Sequence, residues 1–456
     1  MTRSDVVSGT EWRSRLLAPT LIALLSLLVL LAVAIPPATA QDDDDEPTWA
    51  NEMTPRSGKT TPPGRWLPAR TDNPLGAQQL TEEQKREIER LSTIGYLGGY
   101  REAPSVSGVT IYEPERAWNG YNLYTSGDFP GAILMDMEGN ELHRWECSFL
   151  HAFPGRADIL EPDRSNRWRN VHLYDNGDVL GIYEGLGIVK LDKDSNVLWS
   201  HQGGEHHDLK VAENGNIYVL SREAHIVQWI SKKNPVLEDF ITILDPNGNM
   251  IRRISLLSAL KRSRFTNAIR TTEMERKGDI FHTNALEILD GSMEDRIPAF
   301  KKGNILTSFR RLDSIAVVNP ESEEVVWMQF GMWLAQHDPT TLDSGNIMVF
   351  DNRGHGGQSK VIEYDPTSME PVWIYSGTNE HPFFTNAGGA NQRLPNGNTL
   401  ITESDNGRAF EVTREGEIVW EYRNPARAGE NDGLIATIFE MVRLPYDSPF
   451  DWLEAE

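Results

Sequence analysis

The chain has 456 residues, with 67 acidic against 44 basic side chains and a formal charge of −23. That length suits two or three average domains, or one large repeat fold behind a leader. So acidic a chain argues against nucleic acid or an anionic membrane as the main partner. A single cysteine, Cys147, excludes an intrachain disulfide and a cysteine-based metal cluster. No phosphate-cradling glycine motif is present, so no nucleotide site is signalled.

Residues 1–40 read as an export signal. Arg3, Arg13 and Arg15 precede an apolar run from Leu16 to Ile35, and Ala38-Thr39-Ala40 offers a small-x-small cleavage site. The 20-residue run, 16–35, also has bilayer-spanning length, so a signal peptide and a retained membrane anchor are both open. Either way the expectation is an exported, periplasmic protein, because positive charge precedes the run and Asp42 to Asp45 follow it. Residues 41–107 read as a flexible linker with one short helix. The linker is rich in Asp, Pro and Thr, and Thr81-Glu82-Glu83-Gln84 is a capping-box pattern.

From residue 108 one pattern recurs: a β-rich run ending near Asp, a turn, then a β-rich run that usually ends in Trp. It occupies Gly131–Trp145, Gly187–Trp199, Phe240–Ile254, Ser314–Trp327, Lys360–Trp373 and Arg408–Trp420, and only the third copy lacks the Trp. A second hairpin alternates with it, with turns at Asn176-Gly177, Asn214-Gly215, Gly303-Asn304, Ser344-Gly345-Asn346 and Asn396-Gly397. Asn-Gly predicts type I′ turns. Two hairpins per repeat make a four-stranded sheet, so 108–456 is predicted to be an all-β six-bladed β-propeller. The first repeat lacks its first strand, and Phe439–Tyr446 is predicted to close the ring by supplying it.

Aligned on the turn glycine, His207 and His337 each stand eight residues before it, at Gly215 and Gly345, and the equivalents at Gly177 and Gly397 are Arg169 and Gly389. In the fourth repeat His282 begins the corresponding strand. Seven residues after the glycine, Gly215 leads to Arg222 and Gly303 to Arg310. All lie at the open ends of inner hairpins, which a ring carries to one face. His207, His282, His337, Arg222 and Arg310 should therefore converge at the axis. His172 is out of register and reads as structural, and His206 should point away. Asp208 and Asp338 should orient imidazoles or close turns. The insert 255–281, with Lys261, Arg262, Arg264, Arg270, Arg276 and Lys277, emerges on this face and suggests either an anionic ligand or a solvated helix. Several neutral imidazoles with an Arg and an Asn suit two chemistries. One is a metal held by histidines; the other is transfer of an anionic group to His.

The stretch from Gly108 to the C-terminus resembles the bacterial aryl sulfotransferases that use no nucleotide sulfate donor. The matching segments are His206-His207-Asp208-Leu209, Phe281-His282-Thr283-Asn284, Ser308-Phe309-Arg310, Gln336-His337-Asp338, Phe350-Asp351-Asn352 and Leu394-Pro395-Asn396-Gly397-Asn398. The resemblance implies a six-bladed propeller and a ping-pong reaction without cofactor or metal. A histidine takes a sulfuryl group from a phenolic sulfate ester and passes it to a phenol. It also implies His337 as the nucleophile, with His207, His282, Asn284 and Arg310 binding sulfuryl oxygens and assisting proton transfer. The basic insert and the N-terminal helix have no counterpart in it. A metal-dependent lyase or hydrolase on the same histidines, or a propeller that only binds, remain the alternatives.

Overall fold

The computed structural model describes residues 81–83, 85–86, 105–159, 162–271, 278–354, 358–378, 380–428 and 434–453. The leader, most of the linker, and Arg276 and Lys277 of the insert lie outside them.

Six antiparallel four-stranded sheets form the ring of a six-bladed propeller. The innermost strands, in blade order, are Ile438–Pro445, Val171–Leu173, Glu205–Val211, Thr283–Ile288, His337–Thr341 and Ala390–Arg393. The ring closes as the repeats predict: Ile438–Pro445 pairs with Gly120–Ser126 as the inner strand of blade one. A second closure was not legible in the repeats. Gly108–Tyr112 adds a fifth strand to the outer edge of blade six, so both ends of the domain are stitched across one seam.

The recurring Trp has a physical reason. Four of the five recurring indole N–H groups reach a carbonyl of the next blade: Trp145 to Gly177 O at 3.0 Å, Trp199 to Pro246 O at 3.1 Å, Trp373 to Arg414 O at 2.8 Å. Trp420 donates to Met137 O at 2.9 Å, across the seam from blade six to blade one. An outer-strand Trp thus buries a large ring between two sheets while its donor is satisfied. The fourth-blade Trp327 instead packs on Phe300, with centroids 5.1 Å apart.

The turns differ from the type I′ expectation. Gly177, Gly215 and Gly397 have positive φ, but the preceding asparagines do not. In the second blade Gly177 N bonds Tyr174 O and Tyr174 N bonds Asp178 O, which is a three-residue loop with a left-handed glycine. Asn176 Oδ1 accepts from the Asp178 N–H instead of adopting positive φ itself. The insert after blade three starts with a helix, Leu256–Arg262, capped by Ser255 and buried through Leu256, Leu257, Ala259 and Leu260. Its described cations are used on the surface: Arg262 pairs with Glu323, Lys261 lies over Trp229 and Arg264 over Phe265.

Candidate functional site

Hairpin geometry determines which side chains meet at the axis. Four inner strands carry a β-bulge near the open end, and in the three that bear the histidines the pairing skips between Val219 and Ser221, between Thr283 and Leu286, and between His337 and Thr340. Bulges re-aim side chains, and here they lie beside the histidines. His207 (φ 54°) and His282 (φ 51°) occupy the left-handed region, and in blade five the next residue, Asp338 (φ 45°), does. A non-glycine residue held there costs about 1–3 kcal/mol, which the surrounding sheet must over-determine.

The register then repeats around the ring. The residues eight before the glycine and seven after it are Arg169 and Glu184, His207 and Arg222, His337 and Asn352, and Gly389 and Ser404; all but the His207 pair meet across the hairpin mouth. The blade-five pair is a hydrogen bond, His337 Nδ1 to Asn352 Oδ1 at 2.6 Å. In blade six Ser404 Oγ accepts from Gly389 N at 2.8 Å. A side chain at 389 is excluded, since a Cβ would stand 2.6 Å from the Phe350 ring. In blade two Arg169 takes the histidine position, its Nε 3.7 Å from Glu184 and its guanidinium 5.3 Å from the Phe439 ring centroid.

The predicted residues are distributed as follows. His207 and His282 are edge to face with centroids 5.2 Å apart. All three histidines are at least nine-tenths buried. Burial is the first cause that pulls each imidazole below its ordinary value; the next is Arg169 for His207 and Arg310 for His337, while Asp279 opposes the shift at His282. Arg310 begins a short 3-10 turn, and its Nε is buried with no hydrogen-bond partner among the described residues. Burial, then Arg353, pulls its guanidinium down. Asn284 donates one amide N–H to Gln336 O at 2.9 Å, and its Oδ1 is buried without a partner among the described residues. Arg222 does not match Arg310 in place. It lies against Glu184, Nη1 to Oε1 at 3.8 Å, packed so closely on Gly185 that a Cβ there would stand 2.3 Å from Nη2.

The expectations for three residues are corrected. His206 does not point away: its Nδ1 is 2.8 Å from His207 Nδ1 and its Nε2 is 3.5 Å from Asp239. Asp208 and Asp338 neither orient imidazoles nor close turns. Their carboxylates accept backbone N–H groups of the following blade's inner strand, Leu286 at 2.7 Å and Asn391 at 2.6 Å, because inner-strand edges at the axis would otherwise leave donors unpaired. Glu440 does the same from blade one to blade two through the Asn170 side chain at 2.5 Å. His172 meets Tyr174 edge to face with centroids 4.7 Å apart.

Each site histidine has a different backing group. His337 is backed by a neutral amide. Asn352 Nδ2 donates to Thr385 O at 3.1 Å and Gly388 O at 2.7 Å, so its Oδ1 must accept. That fixes the His337 proton on Nδ1 and leaves the Nε2 lone pair available. His282 is backed by a carboxylate, Nδ1 to Asp279 Oδ2 at 2.8 Å. His207 is backed by His206 and lies 3.6 Å from Glu184. Glu184 and Asn352 were within reach of the sequence, since the count of seven after the glycine, applied to Gly177 and Gly345, finds both. Asp239 and Asp279 carried no such signal.

For a metal, the three site histidines do not form one ligand group. Among the described residues the set whose ligand atoms come within 4.8 Å of one another is Glu184, His206 and His207. Arg169 and Arg222 flank its carboxylate, so a metal cation there would face two guanidiniums. Donors for an anion lie instead on Arg310 and the Asn284 amide.

The family model described as Arylsulfotransferase (ASST) matches residues 170–425. Solved structures with a similar fold include a protein of unknown function from Bacteroides caccae, 14% identical, covering 71% of this chain and 98% of its own, with TM-score 0.46. A streptogramin B lyase is 14% identical, covers 76% and 98%, and has TM-score 0.38. BamB from Moraxella catarrhalis is 10% identical, covers 73% and 84%, and has TM-score 0.33. No curated protein matches the chain.

Proposed function

Because the chain belongs to the arylsulfotransferase family, whose model spans more than half of it, we propose that its aryl sulfotransferase activity runs through a sulfohistidine on His337, without a nucleotide. The observation that carries this reading is the Asn352 amide behind His337. A nucleophile must be neutral and must present one defined lone pair. Burial keeps the ring neutral, and the amide fixes the tautomer.

In the first half-reaction His337 Nε2 attacks the sulfur of an aryl sulfate. The N–S bond forms as the S–O bond breaks, and the electron pair leaves on the phenolate oxygen. Arg310 and the remaining N–H of Asn284 hold the sulfuryl oxygens, where a guanidinium can grip two at once. A proton from His282 or His207 converts the phenolate to phenol. The amide of Asn352 cannot take the Nδ1 proton, so the sulfonated ring stays cationic and remains a good leaving group. In the second half-reaction an acceptor phenol gives its proton to one of these histidines, its oxygen attacks sulfur, and His337 departs neutral.

The donor and acceptor are small phenolic molecules on this reading. Transfer between phenols needs no cytosolic nucleotide, in keeping with an exported, periplasmic enzyme; the apolar run of residues 16–35 and Ala38-Thr39-Ala40 support export. The test is to mix purified protein with a phenyl sulfate alone and map the added sulfuryl group by mass spectrometry. A label on the His337 peptide supports the reading. A label on the His206-His207 peptide reassigns the nucleophile. No label, with activity that tracks a bound metal or an added nucleotide sulfate, refutes it.

A further inference from the structure

The ping-pong course proposed above leaves one proton to be found. The first half-reaction uses a proton to release phenol, and the second returns one, yet burial holds His206, His207 and His282 below the ordinary imidazole value and so neutral. Resting on that course, we propose that Asp239 and Asp279 share a proton that is lent to the leaving phenolate and recovered from the acceptor phenol. The lending route runs through His282 and through the His206–His207 pair.

The geometry is that of a built pair. Consecutive backbone N–H groups anchor the two carboxylates: His282 N donates to Asp279 Oδ1 at 2.9 Å, and Thr283 N donates to Asp239 Oδ2 at 2.8 Å. The second oxygen of each faces an imidazole. Asp279 Oδ2 is 2.8 Å from His282 Nδ1, and Asp239 Oδ1 is 3.5 Å from His206 Nε2. His206 in turn meets His207, Nδ1 to Nδ1 at 2.8 Å, a contact that requires one ring to donate and the other to accept. A short parallel pairing, Leu237 with Asp279, brings the insert strand beside the strand that carries Asp239. Both carboxylates are buried.

Two buried carboxylates anchored on consecutive backbone N–H groups disfavour double ionisation. Burial first, then the charge of Asp279, raises the Asp239 carboxyl above the usual carboxylate range, against the pull of Arg222 and the Thr283 N–H. The groups facing Asp239 are therefore His206, Arg222, Asp279 and Thr283. A proton held there has an imidazole at each exit. Its balance is one proton out per sulfuryl group gained by His337, and one back per group delivered. Neither aspartate touches the reacting atoms, so both are positioning residues that act through the histidines.

The experiment uses Asp239→Asn, which keeps an acceptor for Thr283 N, with two donors. Phenyl sulfate has a poor leaving group and needs the proton; para-nitrophenyl sulfate needs it far less. The release of phenol in a single turnover should fall on the order of a hundredfold for phenyl sulfate and less than about tenfold for para-nitrophenyl sulfate. Equal losses on both donors, or no loss on either, overturn the proposal. Should the variant fail to fold, the wild-type protein decides. Its protonated-carboxyl infrared band should vanish on adding phenyl sulfate alone and return with a phenol acceptor, and a band unchanged by sulfation overturns the pair. Absence of any histidine label in the wild type would strike the sulfohistidine course itself, a distinct failure.

Discussion

Asn352→Asp is the most informative single change, because it replaces only the group behind the proposed nucleophile. In the wild type the His337 imidazole is held well below its ordinary value of 6.5, chiefly by burial and then by Arg310. The catalytic rate should therefore stay level as pH falls through 6.5. A carboxylate at hydrogen-bond distance from Nδ1 favours the imidazolium and shifts such a group by about 1–3 units, or about 1.4 kcal/mol per unit. The raised value means that the neutral nucleophile is lost at a higher pH, so the acid limb of kcat/KM moves upward by that amount. Below the new value, activity drops about tenfold per pH unit. The substitution also leaves Thr385 O and Gly388 O facing an acceptor instead of a donor, at about 1–3 kcal/mol each. The assay is a pH profile of the first half-reaction, with thermal melting to show that the variant is folded at each pH. An acid limb that coincides with the wild type, in a folded variant, would refute the claim that the amide keeps His337 neutral.

Other outcomes follow from the same geometry. His337→Asn should abolish both half-reactions and the sulfuryl label while circular dichroism stays native. Arg310→Ala should lower the transfer rate about a hundredfold, close to 3 kcal/mol, with weaker donor binding, measured by steady-state kinetics. Burial raises the Glu287 carboxyl to about 7. The stability of its protonated form is thus fully present below the ordinary carboxylate value and is lost as pH rises through 7. Denaturant unfolding of Glu287→Gln should show the variant gaining up to about 3 kcal/mol on the wild type between pH 4 and pH 8, and a constant difference would exclude that linkage. Removing the closing strand by truncation after Asn431 should unfold the domain. Arg443→Ala, which strands the fully buried Glu411, should cost about 3–5 kcal/mol, and unchanged melting of either would count against the seam.

Much of this was legible in one dimension because a propeller is a repeat, and repeats write their geometry as spacing. The strand count, the ring closure by the last strand and the shared face of His207, His337 and Arg310 follow from turn glycines and a fixed count along each hairpin, and His282 follows from its place at the start of the fourth inner strand. The same count also holds Glu184 and Asn352, whose types gave no reason to ask for them before their partners were placed. The turns were misread because Asn-Gly favours a type I′ loop only when asparagine itself takes positive φ; here its side chain caps the turn instead, and glycine alone goes left-handed. Other features belong to tertiary structure. The bulges that turn His207 and His282 into the left-handed region depend on neighbouring strands. The fifth strand of blade six and the swing of Arg222 onto Glu184 depend on residues far away in the chain. The meeting of Asp239 with Asp279 depends on a short parallel pairing that no local pattern announces. Spacing reports what repeats, whereas a protonation state, a tautomer and a counter-ion are set by whatever the ring brings within hydrogen-bond distance, and some of those contacts cross between blades.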